Sequence, residues 1–181
     1  MRSGIRTFRA LITAGLMSLA LTCGADQPTP EFKVKAAFIY NFAKFVEWPD
    51  GHFASNDAHF VIAVVGTDPF NGALDQAVAG KMVGTHPVVV QHFASAEKIG
   101  ACEILFIADT DDETVARITA KVSDKPVLTV GDSDHFETNG GQIRFFTEDS
   151  KIHFEINTDA TDTAKLKISS KLLKLARIYN K

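Results

Sequence analysis

Two acids follow an apolar strand-like run in Val127–Val130, Gly131, Asp132, Ser133, Asp134. Acids at that spacing after a strand match phosphatases that use one Asp as nucleophile and the other as general acid. That chemistry also needs a magnesium ligand and a Lys for the phosphoryl charge. No later motif supplies them, and strand-end Asp residues commonly cap turns. Asp109, Asp111 and Asp112 resemble part of a calcium loop but lack its Gly and distant Glu; a helix start explains them better. The six His residues (52, 59, 86, 92, 135 and 153) show no metal-ligand spacing. HExxH, GxSxG, P-loop and GxGxxG motifs are all missing from the sequence. On these residues a magnesium-dependent phosphatase-like hydrolase at Asp132 and Asp134 stays open as the lesser alternative, and no cofactor or metal site is expected.

Geometry offers another kind of site. If the apolar runs form a parallel sheet, ligands bind beyond the carboxyl ends of its strands. That rim is Gly66-Thr67-Asp68, Ala108-Asp109 and Gly131-Asp132-Ser133. Helix N-termini there present anion-binding amides, while the side chains are acidic. Thr67, Asp68, Asp109 and Asp132 are the candidate ligand- or partner-binding residues. Phe70 joins them as a candidate exposed aromatic; its alternative is helix packing.

The chain has 181 residues, 19 Lys plus Arg against 22 Asp plus Glu, and 45% apolar residues. This is globular composition with room for one domain. The acidic balance argues against a dedicated nucleic-acid binder. Arg2, Arg6 and Arg9 precede a short apolar run, Ala10–Leu21, and small residues Cys23-Gly24-Ala25. The run is too short to span a bilayer, and residues 1–25 read as a secretory signal peptide cut before Asp26. Leu21 and Thr22 fit a lipobox poorly, so soluble export is expected rather than a lipid anchor on Cys23. Cleavage leaves residues 26–181 with a net charge of −6. Cys102 is then the only thiol and has no internal disulfide partner. Its apolar setting, Ala101–Ile107, points to a buried hydrophobe rather than a nucleophile or intersubunit bridge.

The elements that position these residues alternate. Thr29-Pro30-Glu31 opens a helix with Val34, Phe38, Phe42 and Phe45 on its apolar face, ending at Pro49-Asp50-Gly51. Asn41 lies on the same face. Phe60–Val65, Pro87–Phe93, Ile104–Ala108 and Pro126–Val130 read as strands. The first and third are apolar on both faces, as parallel strands are. Helices are expected from Asp68 to about Gly80 and from Asp111 to about Val122. Ile143–Thr147 and Ile152–Ile156 flank a four-residue polar turn, a β-hairpin. A closing helix is expected from about Thr161 to Tyr179. It carries one apolar stripe at Ile168, Leu172, Leu175 and Tyr179, and another at Leu166, Ser169, Leu173 and Ala176. Leu166, Leu173 and Ala176 are therefore the candidate dimer interface. The fold class is α/β: a single domain with a mainly parallel, doubly wound-like sheet, a C-terminal hairpin and a closing helix.

The segment Lys33–Pro49, with Lys35, Phe38, Asn41, Lys44, Glu47 and Trp48, closely resembles the opening motif of the YfiR-like family of exported bacterial proteins. The likeness continues in Val65–Phe70, Cys102–Ile107, Pro126–Val130, Phe136 through Gly140-Gly141, Phe154–Asn157 and Leu166–Leu173. These blocks run in family order across essentially the whole chain after residue 25. The resemblance implies a periplasmic α/β protein, often dimeric, with no known catalysis. The family's named member restrains a membrane-bound diguanylate cyclase through its periplasmic sensor domain, and an outer-membrane lipoprotein sequesters that member. The resemblance thus implies a membrane sensor or cyclase as partner, and a role in cyclic-di-GMP output and biofilm formation. Members with a disulfide here place a Cys in the first strand to pair with the one matching Cys102; this chain has Ala63. Of the motif residues, Gly140-Gly141 is expected to form a permissive turn or bulge. Ser169-Ser170 is expected in mid-helix, and Glu155 and Asn157 near Lys35 or Asn41.

Overall fold

Pro30 follows the extended Thr29 and sets the first turn of α1 (Pro30–Phe45), with Glu31 at its start and Lys44 at its end complementing the helix dipole. The computed structural model describes residues 28–108 and 111–180. Residues 1–25 with Cys23, expected to form a signal peptide, and the candidate Asp109 lie outside the described residues. After α1 come β1 (Val46–Glu47), β2 (Phe60–Val65), α2 (Ala73–Val78), β3 (Met82–Val83) and β4 (His86–Phe93). A single 3-10 turn (Ala96–Lys98), β5 (Ile104–Ile107), α3 (Asp112–Val122) and β6 (Leu128–Gly131) follow. The chain ends with β7 (Ile143–Glu148), β8 (Lys151–Ile156), α4 (Thr158–Thr163), β9 (Lys167–Ile168), α5 (Ser170–Leu173) and β10 (Arg177–Ile178).

Eight strands form one sheet in the order β10-β8-β7-β6-β5-β2-β4-β3. From β4 to β7 all neighbours are parallel. The strand order reverses between β2 and β5, the topological switch point of a doubly wound sheet. Both faces are covered, so β2 and β5 carry no polar alternation. Ile62, Val64, Ile104, Phe106, Leu128 and Val130 face the cluster under α1 and α2. Ala63, Val65, Leu105 and Ile107 face Val115, Ile118 and Val122 of α3. The α/β class, the mainly parallel sheet and the C-terminal hairpin are as expected.

Four local expectations are corrected. First, α1 stops at Phe45, and Val46–Glu47 pairs antiparallel with Lys167–Ile168. Its buried face is Lys35, Ala36, Ile39, Phe42 and Ala43, while Val34 is 43% exposed and Asn41 is also exposed. Second, the helix expected from Asp68 begins only at Ala73. The Asp68 carboxylate accepts from the Phe70 amide, and Asn71 and Gly72 hold positive φ, which no helix continues through.

Third, the hairpin turn has two residues, not four. Asp149 (φ 50°) and Ser150 (φ 60°) are both left-handed, and Glu148 pairs with Lys151. Two residues in that conformation match the twist of the flanking strands. Fourth, no single helix closes the chain. α4 ends as Lys165 turns to φ 60° and the Leu166 amide donates back to the Thr161 carbonyl. Ser169 caps α5 by accepting from the Leu172 amide, in keeping with its preference for caps over helix interiors. The last residues then extend as β10, parallel to β8.

Candidate functional site

The breakup of the closing helix dissolves the expected dimer stripe. Leu166 is buried at 2% exposure, and Leu173 and Ala176 are half-buried, packed against the main core. Instead, Leu175 is the most exposed large apolar residue there, at 71%. Phe70 is likewise no exposed aromatic. It is fully buried, with its ring edge-on to Phe32 at 5.5 Å and to Phe106 at 4.8 Å between centroids.

The strand-end rim splits into two separate places. At the switch point a cavity of about 280 Å³ is lined by Gly66, Thr67, Ala108, Thr114 and Arg117, among others. Thr67 is exposed there. Asp68, partly buried, accepts from the Phe70 amide at 2.8 Å and lies 3.6 Å from His92 Nδ1. Asp111 caps α3 by accepting from the Thr114 amide at 2.8 Å, the helix start expected of that acidic run.

Asp132 lies beyond β6 in a different depression, with Glu31, Lys35, Asp134 and Arg144. Its Oδ2 accepts from Lys35 Nζ at 2.6 Å, and Glu31 Oε1 lies 2.6 Å from the same ammonium. The Lys35 side chain is 5% exposed and passes over the Phe32 ring. A Lys on an apolar helix face is thus explained by an acid 97 residues away. The sequence showed no pairing between them.

Beside this pair, Arg144 Nε donates to Glu137 Oε1 at 2.5 Å, and its guanidinium reaches Glu155 at 3.9 Å. Burial first, then the Glu137 carboxylate, pushes the Glu155 pKa up. Glu155 therefore serves Arg144 rather than Lys35. Asn157 caps α4, accepting from the Ala160 amide at 3.1 Å.

The segment between these groups is pinned by Phe136. Its fully buried ring fills the space where Gly131 and Gly141 lack side chains. Gly140 holds φ +86°, the permissive turn expected of the Gly-Gly pair, while Gly141 is needed for close approach.

Sequence reasoning missed a larger cavity, about 670 Å³, at the amino edge of the parallel strands. Its signal was Glu103, a charged residue directly before the wholly apolar β5. Glu103 Oε2 accepts from the Val61 amide at 2.6 Å, and Oε1 lies 2.9 Å from His52 Nε2. Cys102 lines the same cavity at 4% exposure, as a free thiol. Burial, with Glu103 adding to it, pushes its pKa up to about 12. Native protein at mildly alkaline pH should therefore alkylate at Cys102 roughly a hundredfold or more slower than denatured protein. Mass-spectrometric labelling kinetics test this, and labelling at the rate of an unhindered thiol contradicts it.

Among the described residues, no group of three or more His, Cys, Asp or Glu converges on a metal-sized position. No described helix is long and apolar enough to cross a membrane. A family model described as YfiR/HmsC-like matches residues 32–177, which spans α1 to the start of β10. Among curated proteins, no match to the chain was found. The matched family is one of periplasmic regulators, which supports a regulatory role. By that match over most of its length, the chain belongs to the YfiR/HmsC-like family.

Proposed function

We propose that the chain is exported, trimmed before Asp26, and acts without catalysis as a periplasmic regulator that binds and restrains a membrane signalling protein. The partner in this reading is the periplasmic domain of a diguanylate cyclase, so that the chain limits cyclic-di-GMP output and biofilm formation. An outer-membrane lipoprotein that sequesters the chain would relieve the restraint. The family match over residues 32–177 carries this reading. Thr67 and Asp68 are the accessible contacts we assign to the rim. Self-association belongs to the same reading, with Leu175 and, in β10, Ile178 offering apolar surface.

Calorimetric titration of residues 26–181 against the purified periplasmic domains of the host's membrane diguanylate cyclases tests the proposal. Saturable binding to at least one is expected. Failure to bind any of them overturns it.

A further inference from the structure

The amino-edge cavity lies at the opposite end of the strands from the switch-point rim, and neither the fold nor the family reading uses it. Its wall is largely apolar: Phe53, Val61, Ile99, Val122, Pro126 and Val127. A volume of about 670 Å³ suits a small organic molecule. Its charged lining consists of Lys121, Lys125 and Glu103, with two His. Glu103 is already committed, one oxygen to the Val61 amide and the other to His52. Lys121 donates to the Ala96 carbonyl at 2.7 Å and has further N–H donors, since an ammonium carries three. Lys125 is exposed, and no carboxylate is paired with it among the described residues. Lys125 and Cys102 both line the cavity. The cavity lining thus carries two lysines against one carboxylate, in a chain whose net charge is −3.

We infer that this cavity is a binding site for a small apolar organic anion. The hydrocarbon body would rest on Val61, Val122 and Val127, and the carboxylate or sulfonate would face Lys125 and Lys121. The site does not depend on which signalling protein the chain binds.

Two fluorescent probes that differ by one sulfonate group test it on residues 26–181. Anilinonaphthalene sulfonate carries the anion, and phenylnaphthylamine is its neutral counterpart. One molecule of the sulfonate is expected to bind per chain. Lys125→Ala should weaken the sulfonate about fivefold, the scale of a partly exposed ion pair, and leave the neutral probe unchanged. Ala101→Trp, at an exposed position lining the cavity, should weaken both probes at least roughly tenfold by filling the space they occupy. Circular dichroism and melting temperature of both variants should match the parent. Parent-like probe binding in Ala101→Trp overturns the site. An equal effect of Lys125→Ala on both probes, or no effect on either, overturns its assignment to anions. No binding of either probe to the parent overturns the inference as a whole.

Discussion

Gly141→Ala is expected to destabilise the protein by about 3 kcal/mol, at the upper end of the usual cost of overpacking a core. A Cβ at Gly141 would lie 2.7 Å from Phe136 Cγ, and one at Gly131 would lie 2.7 Å from Cδ2 of the same ring. The ring has no room to retreat, because Phe136 is fully buried against the α3 side of the sheet. For a domain of this size the melting temperature should fall by roughly 6–12 °C. Gly140→Ala is the internal comparison. There the backbone sits at φ +86° and the nearest obstacle is Thr119 Oγ1 at 3.1 Å, so a smaller loss, about 1 kcal/mol, is expected. Pairing Gly141→Ala with Phe136→Leu should recover part of the loss by removing the ring edge. Thermal melts followed by circular dichroism decide the order. A Gly141→Ala loss no larger than that of Gly140→Ala would show that the ring does not set it. The link to the site is direct: the segment that Phe136 pins carries both Asp132 and Glu137.

Asp132→Ala is expected to cost about 2–3 kcal/mol. Removing one partner of a buried ion pair leaves the other charge in low dielectric, and full burial would cost more. Here Asp132 is 23% exposed, and Glu31 remains to hold the ammonium, which moderates the loss. Adding Lys35→Met to Asp132→Ala should restore at least half of the lost stability, since the stranded charge is gone and the apolar stem still packs. Lys35 is thus assigned a structural task, fastening α1 to the segment after β6. Chemical denaturation of the single and double variants checks this. A double variant as unstable as the simple sum of its parts would deny that the two side chains are coupled.

The sheet was legible because burial on both faces removes polar alternation, and Phe60–Val65 and Ile104–Ile107 show it plainly. The C-terminal segment misled because Leu166, Ile168, Leu172 and Leu173 also fit a helical period. The competing signals were local: Ser169 as a cap, and a left-handed Lys165 that side-chain spacing does not announce. Phe70 misled in a similar way, since Asp68-Pro69 looks like a helix start on the surface. Asn71 and Gly72 instead turn the chain so that the ring enters the core. At the candidate site, Asp132 was visible but its partner was not, because a contact spanning 97 residues leaves no trace in local spacing. The amino-edge cavity is assembled from four separate stretches of chain, and only Glu103, a charge directly before the apolar β5, marked it.

We propose restraint of cyclic-di-GMP synthesis from the periplasm as the function of the chain. Its most direct test is the cellular cyclic-di-GMP level, measured by mass spectrometry in the parent strain, a deletion strain, and deletion strains supplied with the full chain or with residues 26–181 alone. The account predicts a raised level on deletion, a return to the parent level with the full chain, and no rescue by the leaderless form held in the cytoplasm. A level unchanged by the deletion, or restored equally well by the leaderless form, would contradict it.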